Sequence, residues 1–287
     1  MSVNIRTNIS SIVSQRNVAA STKRLATAYE RLSSGLRINH AKDDAAGLAI
    51  AESLKADSRI AAVAVRNAND GISVISITDG AIGQITDILS RLAELAQQSA
   101  NGVYSNVQRS ALQLEFTALS SEITRISETT EFNGLKLLSG GGTISFQVGF
   151  DGSSLSQIAY SGIQATLESI GLADAGSTSH KYSIIANSLA ESQSSSRYAI
   201  DALRAAVGSV TRNRGTLGAA ESRLDISIKN LQVARENFMA AESAIRDADV
   251  ASEAAELTRL NILQQAGVAI LAQANQQPSL ALSLLRG

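Results

Sequence analysis

Apolar residues recur at every seventh position along one stretch near the C-terminal end of the chain. A period of 3.5 residues is typical of a helix that packs in a coiled coil or a helical bundle. The companion positions on the same face are half polar and include Arg214 and Glu221. These charges either pair across helices or form a solvated edge, and the pattern leaves both alternatives open. The predicted assembly seam consists of Leu203, Val210, Leu217, Leu224, Leu231, Phe238 and Ile245.

The N-terminal half contains further helical patterns. Apolar residues step by three and four over 82–96, and the same stepping resumes over 112–126. The Asn-Gly pair at 101–102 lies between them and is a strong turn signal. We therefore expect two antiparallel helices joined by a short loop. Upstream, residues 44–77 also have a helical pattern, whose two expected irregular points are Gly71 and Gly80.

The middle of the chain loses the helical period. Ile144, Phe146, Val148 and Phe150 alternate with polar residues and glycine, which predicts a half-buried strand. Residues 135–138 could pair with this strand as a hairpin across the glycines at 140–142. Residues 151–180 are rich in Ser, Gly and Ala. We expect them to form a short exposed linker or a small loop cap.

Both ends of the chain carry a narrow apolar stripe. A single helix of this kind cannot bury its apolar side, and isolated helices are marginal in water. The two ends therefore need each other, or other copies of the chain. Asp247 and Asp249 interrupt the long seam and predict a helix junction. The predicted stripe consists of Ile5, Ile9 and Ile12 at one end, and of Leu257, Leu260, Leu263 and Ile270 at the other.

These elements predict a mainly α fold. A long antiparallel helical bundle or coiled coil is formed by the paired N- and C-terminal segments, with a small β-hairpin region and a short loop cap in the middle. The predicted domains are an inner helical coiled coil of 1–43 plus 247–287, and a long-helix bundle of 44–150 plus 181–246 with a hairpin near 130–150. Residues 151–180 are the predicted exposed variable or linker region.

Composition narrows the function classes. The chain has no cysteine, which excludes disulfides, thiolate zinc sites, iron–sulfur clusters and a cysteine nucleophile. A net charge of −1 and 3% aromatic residues argue against a dedicated nucleic-acid binder. The longest uncharged apolar runs are shorter than a membrane span, so membrane insertion is not expected. Residues 1–11 lack the apolar core of a cleaved signal peptide.

No constellation of side chains predicts catalysis. Asp43 and Asp44 precede a helical pattern, where carboxylates usually cap the helix and favour its dipole. His40 and His180 have no metal-ligand spacing, and the glycines at 140–142 lack the Lys and Ser/Thr of a phosphate-binding loop. We therefore predict no enzyme activity, no cofactor and no metal, and expect a subunit of an assembly.

Several longer motifs resemble bacterial flagellins. The N-terminal ones are LSSGLRIN at 32–39, AKDDAAGLAI at 41–50, QSAN at 98–101 and FNG at 132–134. The C-terminal ones are ILQQAG at 262–267, LAQANQ at 271–276 and LSLLR at 282–286. They occur in the family's order and cover roughly 1–150 and 181–287. The central region that varies in size among flagellins is reduced here to about thirty residues.

The resemblance implies a structural subunit that self-assembles into the helical flagellar filament outside the bacterial cell and serves motility. It implies export in the unfolded state by the flagellar type III apparatus. Because the narrow stripes bury too little in an isolated chain to offset ordering entropy, we expect the termini to be largely disordered in the monomer and to fold on assembly. The implied partners are many copies of the chain, an export chaperone at the C-terminal segment, and the filament cap and hook-associated proteins.

The resemblance also implies one surface site. Some flagellins are bound by the innate-immune receptor Toll-like receptor 5, and the matching positions here are Arg91, Leu95 and Glu115. Leu95 lies just off the core positions Leu89 and Leu92, so we expect it to be exposed. The same surface could also pack against a neighbouring subunit, and the two uses are compatible.

Two other structural functions share the helical pattern. A hook–filament junction protein has similar terminal helices, although the Asn-Gly and Gln-Ala-Gly motifs favour a flagellin. A non-flagellar secreted coiled-coil scaffold would explain the heptads but not the ordered motifs.

Overall fold

The computed structural model describes residues 7–140 and 142–286. The described chain is mainly helical, which confirms the predicted fold class. Its helices are α1 (Ile9–Ser34), α2 (Ala45–Ala100), α3 (Asn106–Thr129), α4 (Leu189–Arg246) and α5 (Val250–Arg286). Its strands are β1 (Glu131–Phe132), β2 (Leu135–Lys136), β3 (Thr143–Gln147) and β4 (Gln157–Ser161).

Helix ends lie where local side chains satisfy free backbone groups. Asp44 accepts a hydrogen bond from the Gly47 N–H at 2.8 Å and so caps α2, as predicted for a carboxylate at this point. Ser105 and Gln108 form a reciprocal capping box at the start of α3. Asp249 accepts from the Ala251 N–H at 3.0 Å and begins α5, which confirms the predicted junction.

The chain divides into two compact units. Unit 1 takes the chain up to Ser58 and from Glu236 onward, and unit 2 is Arg59–Arg235. Unit 2 holds most of the buried apolar side chains, which come from α2, α3, α4 and the segment between β3 and α4. Unit 1 holds a much smaller cluster, described below.

Helix α2 runs without interruption through Gly71 and Gly80, so the predicted irregularities are wrong. A Cβ atom at Gly71 would lie 3.1 Å from Leu224 and from the ring of Phe146. At Gly80, the described residues outside the local helix backbone place no atom within 4 Å of such a Cβ. Gly71 therefore allows close packing of α4 and β3 on α2. Among the described helices, α2 has the length and the apolar composition that could cross a membrane. Its apolar face, however, supplies much of the unit 2 core.

Strand pairing differs from the prediction. The predicted strand exists as β3, but it ends at Gln147 and pairs antiparallel with β4 rather than with residues 135–138. The latter contribute β2, which pairs with β1 through a turn at Asn133 and Gly134, both at positive φ. An Asn-Gly pair adopts these dihedral angles readily, so the shorter hairpin closes on itself.

The expectation that 151–180 is an exposed linker is wrong for much of its length. Several of its apolar residues lie in the core of unit 2, and one of them, Ala165, is completely buried. Tyr160 stacks on Phe146 of β3 with ring centroids 6.4 Å apart. The buried apolar residues of this stretch are Ile158, Tyr160, Ile163, Ala165, Leu167, Ile170 and Leu172.

Candidate assembly surface on the terminal helices

Helices α1 and α5 pack along each other in unit 1, as the two apolar stripes predicted. The buried cluster between them is small and consists of Leu25, Ala28 and Leu260, with Leu257 partly buried beside it. A Cβ atom at Gly267 would lie 2.9 Å from the Val18 side chain, so the glycine permits close approach of the two helices.

Polar contacts fasten the pair toward the start of α1. The Asn8 side chain accepts from the Ser11 N–H at 3.0 Å and caps α1. Its amide nitrogen also donates to the Ala274 carbonyl at 2.7 Å. Ser11 donates to Asn275 at 2.6 Å. The few apolar contacts between α1 and α5 define their register only loosely. The hydrogen bonds of Asn8 and Asn275 therefore set that register.

A backbone clasp joins the other ends of the pair. Gly35 ends α1 in the left-handed conformation, with φ of 72°, and its carbonyl accepts from the Ala248 N–H at 2.9 Å. The Arg37 N–H donates to the Arg246 carbonyl at 2.6 Å, and the Arg37 guanidinium donates to the Ile245 carbonyl at 2.6 Å. On one side this clasp is formed by residues of the motif at 32–39, and on the other side by residues at the junction between α4 and α5.

Most of the predicted terminal stripe faces solvent. Ile5 lies outside the described residues. Leu260 is buried against α1 and Leu257 is partly buried. The remaining stripe residues are exposed: Ile9 (61%), Ile12 (57%), Leu263 (45%) and Ile270 (57%). Ile262 and Val268 are also exposed, at 61% and 52%, so this pair of helices presents a large unpaired apolar surface.

The seam positions of α4 fall into two groups. Leu203, Val210, Leu217, Leu224 and Leu231 are buried in the core of unit 2, whereas Phe238 and Ile245 are partly buried in unit 1. Arg214, one of the polar companion residues, forms an ion pair with Asp79 of α2 at 2.8 Å. The first five seam residues thus pack within the chain itself.

The candidate receptor positions do not lie together on the surface. Arg91 pairs with Glu115 at 2.8 Å and with Glu94 at 3.0 Å, and all three side chains are substantially exposed. Leu95 is only 1% exposed, so the expectation that it is a surface residue is wrong. It is buried because α2 packs against both α3 and α4, which makes its apolar face wider than the stripe at Leu89 and Leu92.

The remaining polar candidates have structural partners. Asp43 accepts from the His40 N–H at 3.0 Å, and this bond, with a weaker one from the Asn39 N–H, lowers the pKa of the Asp43 carboxyl. His40 Nε2 lies 2.7 Å from Glu30 Oε1. Within residues 7–140 and 142–286, no group of three or more His, Asp and Glu side chains could hold a metal ion.

Sequence reasoning missed one buried charge. Arg109 of α3 is completely buried and donates to the carbonyls of Ser99 at 3.0 Å and Asn101 at 2.8 Å. It binds carbonyls at the end of α2, where the helix dipole is negative. An arginine in an amphipathic helix is expected at the surface, so no local pattern distinguishes it.

Comparisons with known proteins agree with this architecture. The family model for the bacterial flagellin N-terminal helical region matches residues 5–143, and the one for the C-terminal helical region matches 200–285. The chain is 42% identical to a flagellin of Halalkalibacterium halodurans, covering 98% of this chain and 99% of that protein. It is 38% identical to the flagellar filament 30.7 kDa core protein of Treponema maltophilum, with the same coverage.

A solved structure of a putative flagellar hook-associated protein from Vibrio parahaemolyticus shares the fold. Its TM-score is 0.57 at 14% identity, covering 72% of this chain and 99% of that one. At this identity the likeness concerns the fold alone. The full-length identity to flagellins, together with both family models, decides the family. The chain belongs to the bacterial flagellins.

Proposed function

We propose that the exposed apolar face of α1 and α5 is the surface through which copies of this chain pack together in a filament. The chain is a structural subunit of the bacterial flagellar filament, the extracellular part of the flagellum. The observation that supports this use of the surface is a contrast within the α1–α5 pair. Its few buried apolar residues, Leu25, Ala28, Leu260 and Ala274, stand against many exposed ones.

Burial by neighbours would stabilise this surface strongly. Removing one Leu or Ile side chain from water is worth about 1.5–3 kcal/mol, and several such residues lie on the α1–α5 pair. A head-to-tail contact that does not close into a ring extends into an open helical filament. We propose that 1–43 plus 247–287 form the inner domain of that filament, and that 44–150 plus 181–246 form the next layer.

The remaining partners are proposals that rest on the family. We propose export in the unfolded state by the flagellar type III apparatus, a chaperone bound to the C-terminal segment, and contacts with the cap and hook-associated proteins. For the innate-immune receptor, Arg91 and Glu115 are the proposed contacts, supported by their exposure. The buried Leu95 is not among them.

Filament assembly from purified subunits tests the proposed surface. Ile12→Asp places a charge on the exposed apolar face of α1, so seeded polymerisation should slow at least tenfold by sedimentation and electron microscopy. Asn17→Asp is the matched control, because it adds the same charge about 140° around the helix. Equal filament growth by Ile12→Asp and the unmodified chain would refute the assignment. Circular dichroism of the monomers checks that both variants keep their helix content.

A further inference from the structure

Polar side chains hold one connecting segment against the helices of unit 2. The segment, residues 172–184, is called the strap here, and its ends Leu172 and Ile184 are buried. The Ile184 carbonyl accepts from the buried hydroxyls of Ser99 at 2.7 Å and Ser196 at 3.2 Å. The Ile184 N–H donates to Gln113 of α3 at 2.8 Å. The strap is thus attached by specific hydrogen bonds as well as by apolar burial.

The Gln113 amide has one possible orientation. A backbone N–H can only donate, so the atom that faces Ile184 must be the amide oxygen, and the Ser183 hydroxyl also lies 3.3 Å from that oxygen. The amide nitrogen then points to Thr117 Oγ1 at 3.2 Å and to His180 Nε2 at 3.3 Å. Rotating the amide by half a turn would place its NH₂ group opposite the Ile184 N–H, so that two donors would face each other.

This orientation fixes the state of His180. Because Gln113 donates, His180 Nε2 must accept, which requires a neutral imidazole with its proton on Nδ1. The ring also contacts Phe116 edge-on, with centroids 5.7 Å apart. Burial lowers the pKa of His180 below its usual range, which favours the same neutral form.

The groups around His180 would do little to stabilise a positively charged imidazolium. Its pocket is lined by Leu92 of α2, Phe116 and Ser120 of α3, Leu203 of α4, and Leu172 and Tyr182 of the strap itself. Tyr182 is the other titratable group in this described lining. The charged groups nearby in sequence have partners: Lys181 pairs with Asp174 at 2.8 Å, and Glu168 accepts from the Gly176 N–H at 3.1 Å. On α3, Glu115 pairs with Arg91.

We propose that His180 is an acid-sensitive latch that holds the strap against α3. Protonation of Nε2 turns the acceptor into a donor, so two donors face each other and the bond to Gln113 is lost. Gln113 cannot rotate to compensate without losing Ile184. The strap loosens from α3 around His180, while the bonds of Ile184 remain. The helices stay folded, since their core continues along α2 and α4 through Ile82, Ile85 and Val210.

The direction of the pH effect follows from the neutral folded form. The unfolded chain binds a proton near pH 6.5, whereas the latched form binds it only at lower pH. The latch therefore contributes its full stability above about pH 6.5 and loses it as the pH falls through the folded value. Burial of the ring and its bond from Gln113 act in the same direction, so a change at Gln113 is needed to separate them.

Two measurements on the full-length monomer test the latch. The chain has two histidines, so histidine NMR resonances can be assigned with His40→Gln. His180 should titrate below the pH of about 6.5 that is usual for histidine and should show the Nδ1–H tautomer. Hydrogen exchange of 172–184, corrected for intrinsic rates, should lose at least tenfold protection between pH 7 and 5. His180→Gln keeps an acceptor for Gln113 and should abolish this loss, whereas His40→Gln should leave it unchanged.

A second variant keeps the test decisive if His180→Gln folds poorly. Gln113→Glu still accepts from Ile184 but now also accepts from an imidazolium, so it should raise the pKa of His180 above that of the unmodified chain and keep the strap protected at pH 5. The proposal is overturned if strap protection in the unmodified chain is independent of pH. It is also overturned if Gln113→Glu leaves the His180 titration where it was.

Discussion

The described core includes residues that the regular apolar stepping of the sequence leaves out. Leu92 and Leu95 lie three residues apart on α2. Only Leu92 falls on the regular apolar stepping, yet both side chains are fully buried. The stepping identifies residues that face one neighbour, but α2 has neighbours on two sides. The same limit applies to Arg109, whose burial depends on the carbonyls at the end of a different helix. Capping by Asp44 was predictable because its bond spans only three residues.

Replacement of Leu95 tests this burial directly. Leu95→Ala should lower the free energy of unfolding by about 2–5 kcal/mol, because it leaves a cavity in the core of unit 2. Leu155→Ala is the control, since Leu155 is 95% exposed and its truncation should change stability by about 0.5 kcal/mol at most. Urea unfolding followed by circular dichroism measures both. Equal stability of the two variants would mean that Leu95 is not a core residue.

At the scale of elements, helices were predictable and strand partners were not. The period of α4 and the turn after α2 are local signals, so their positions follow from the chain itself. The partner of β3 lies beyond a loop, and residues 135–138 and 157–161 are both near enough to compete. Burial does not settle the competition, since Ile158 and Tyr160 of β4 are buried but Leu137 and Leu138 are buried too. The tight turn at Asn133 and Gly134 instead pairs β2 with β1 and leaves β3 to β4. That information is absent from alternation alone.

The two glycines of α2 should respond oppositely to a side chain. Gly71→Val should lower the free energy of unfolding by about 1–3 kcal/mol. The valine Cβ would already lie 3.1 Å from Leu224 and Phe146, so its two methyl groups would clash with them. Gly80→Val should be neutral or slightly stabilising, because that position is open and glycine is a poor helix former. Thermal unfolding of both variants measures the difference. A similar loss at both positions would show that helix propensity, rather than packing on α4 and β3, decides the effect.

At the scale of the whole molecule, the two units differ in how much they bury. Unit 2 has an extensive core from three helices and the segment before α4. The α1–α5 pair in unit 1 rests on the small cluster, the buried Ala274 and a few hydrogen bonds. The sequence predicted this difference, because a continuous seam and a narrow stripe bury different areas. It did not predict which stripe residues the pair would use for itself. Leu260 packs on α1, while Ile270 stays exposed.

Hydrogen exchange before and after polymerisation should separate the two units. In the monomer, amides of α1 and α5 should exchange at least a hundredfold faster than those of α2 around Ile82, because fixing each residue costs about 1–2 kcal/mol and so small a cluster offsets little of it. If neighbouring copies cover Ile9, Ile12 and Ile270 in filaments, as proposed, protection of α1 and α5 there should approach that of unit 2. Leu260→Ala supplies a control, since it should speed exchange of the monomer's terminal helices and leave α2 unchanged. Strong protection of α1 in the unpolymerised chain would mean that the pair is stable alone, and assembly would then need another source of free energy.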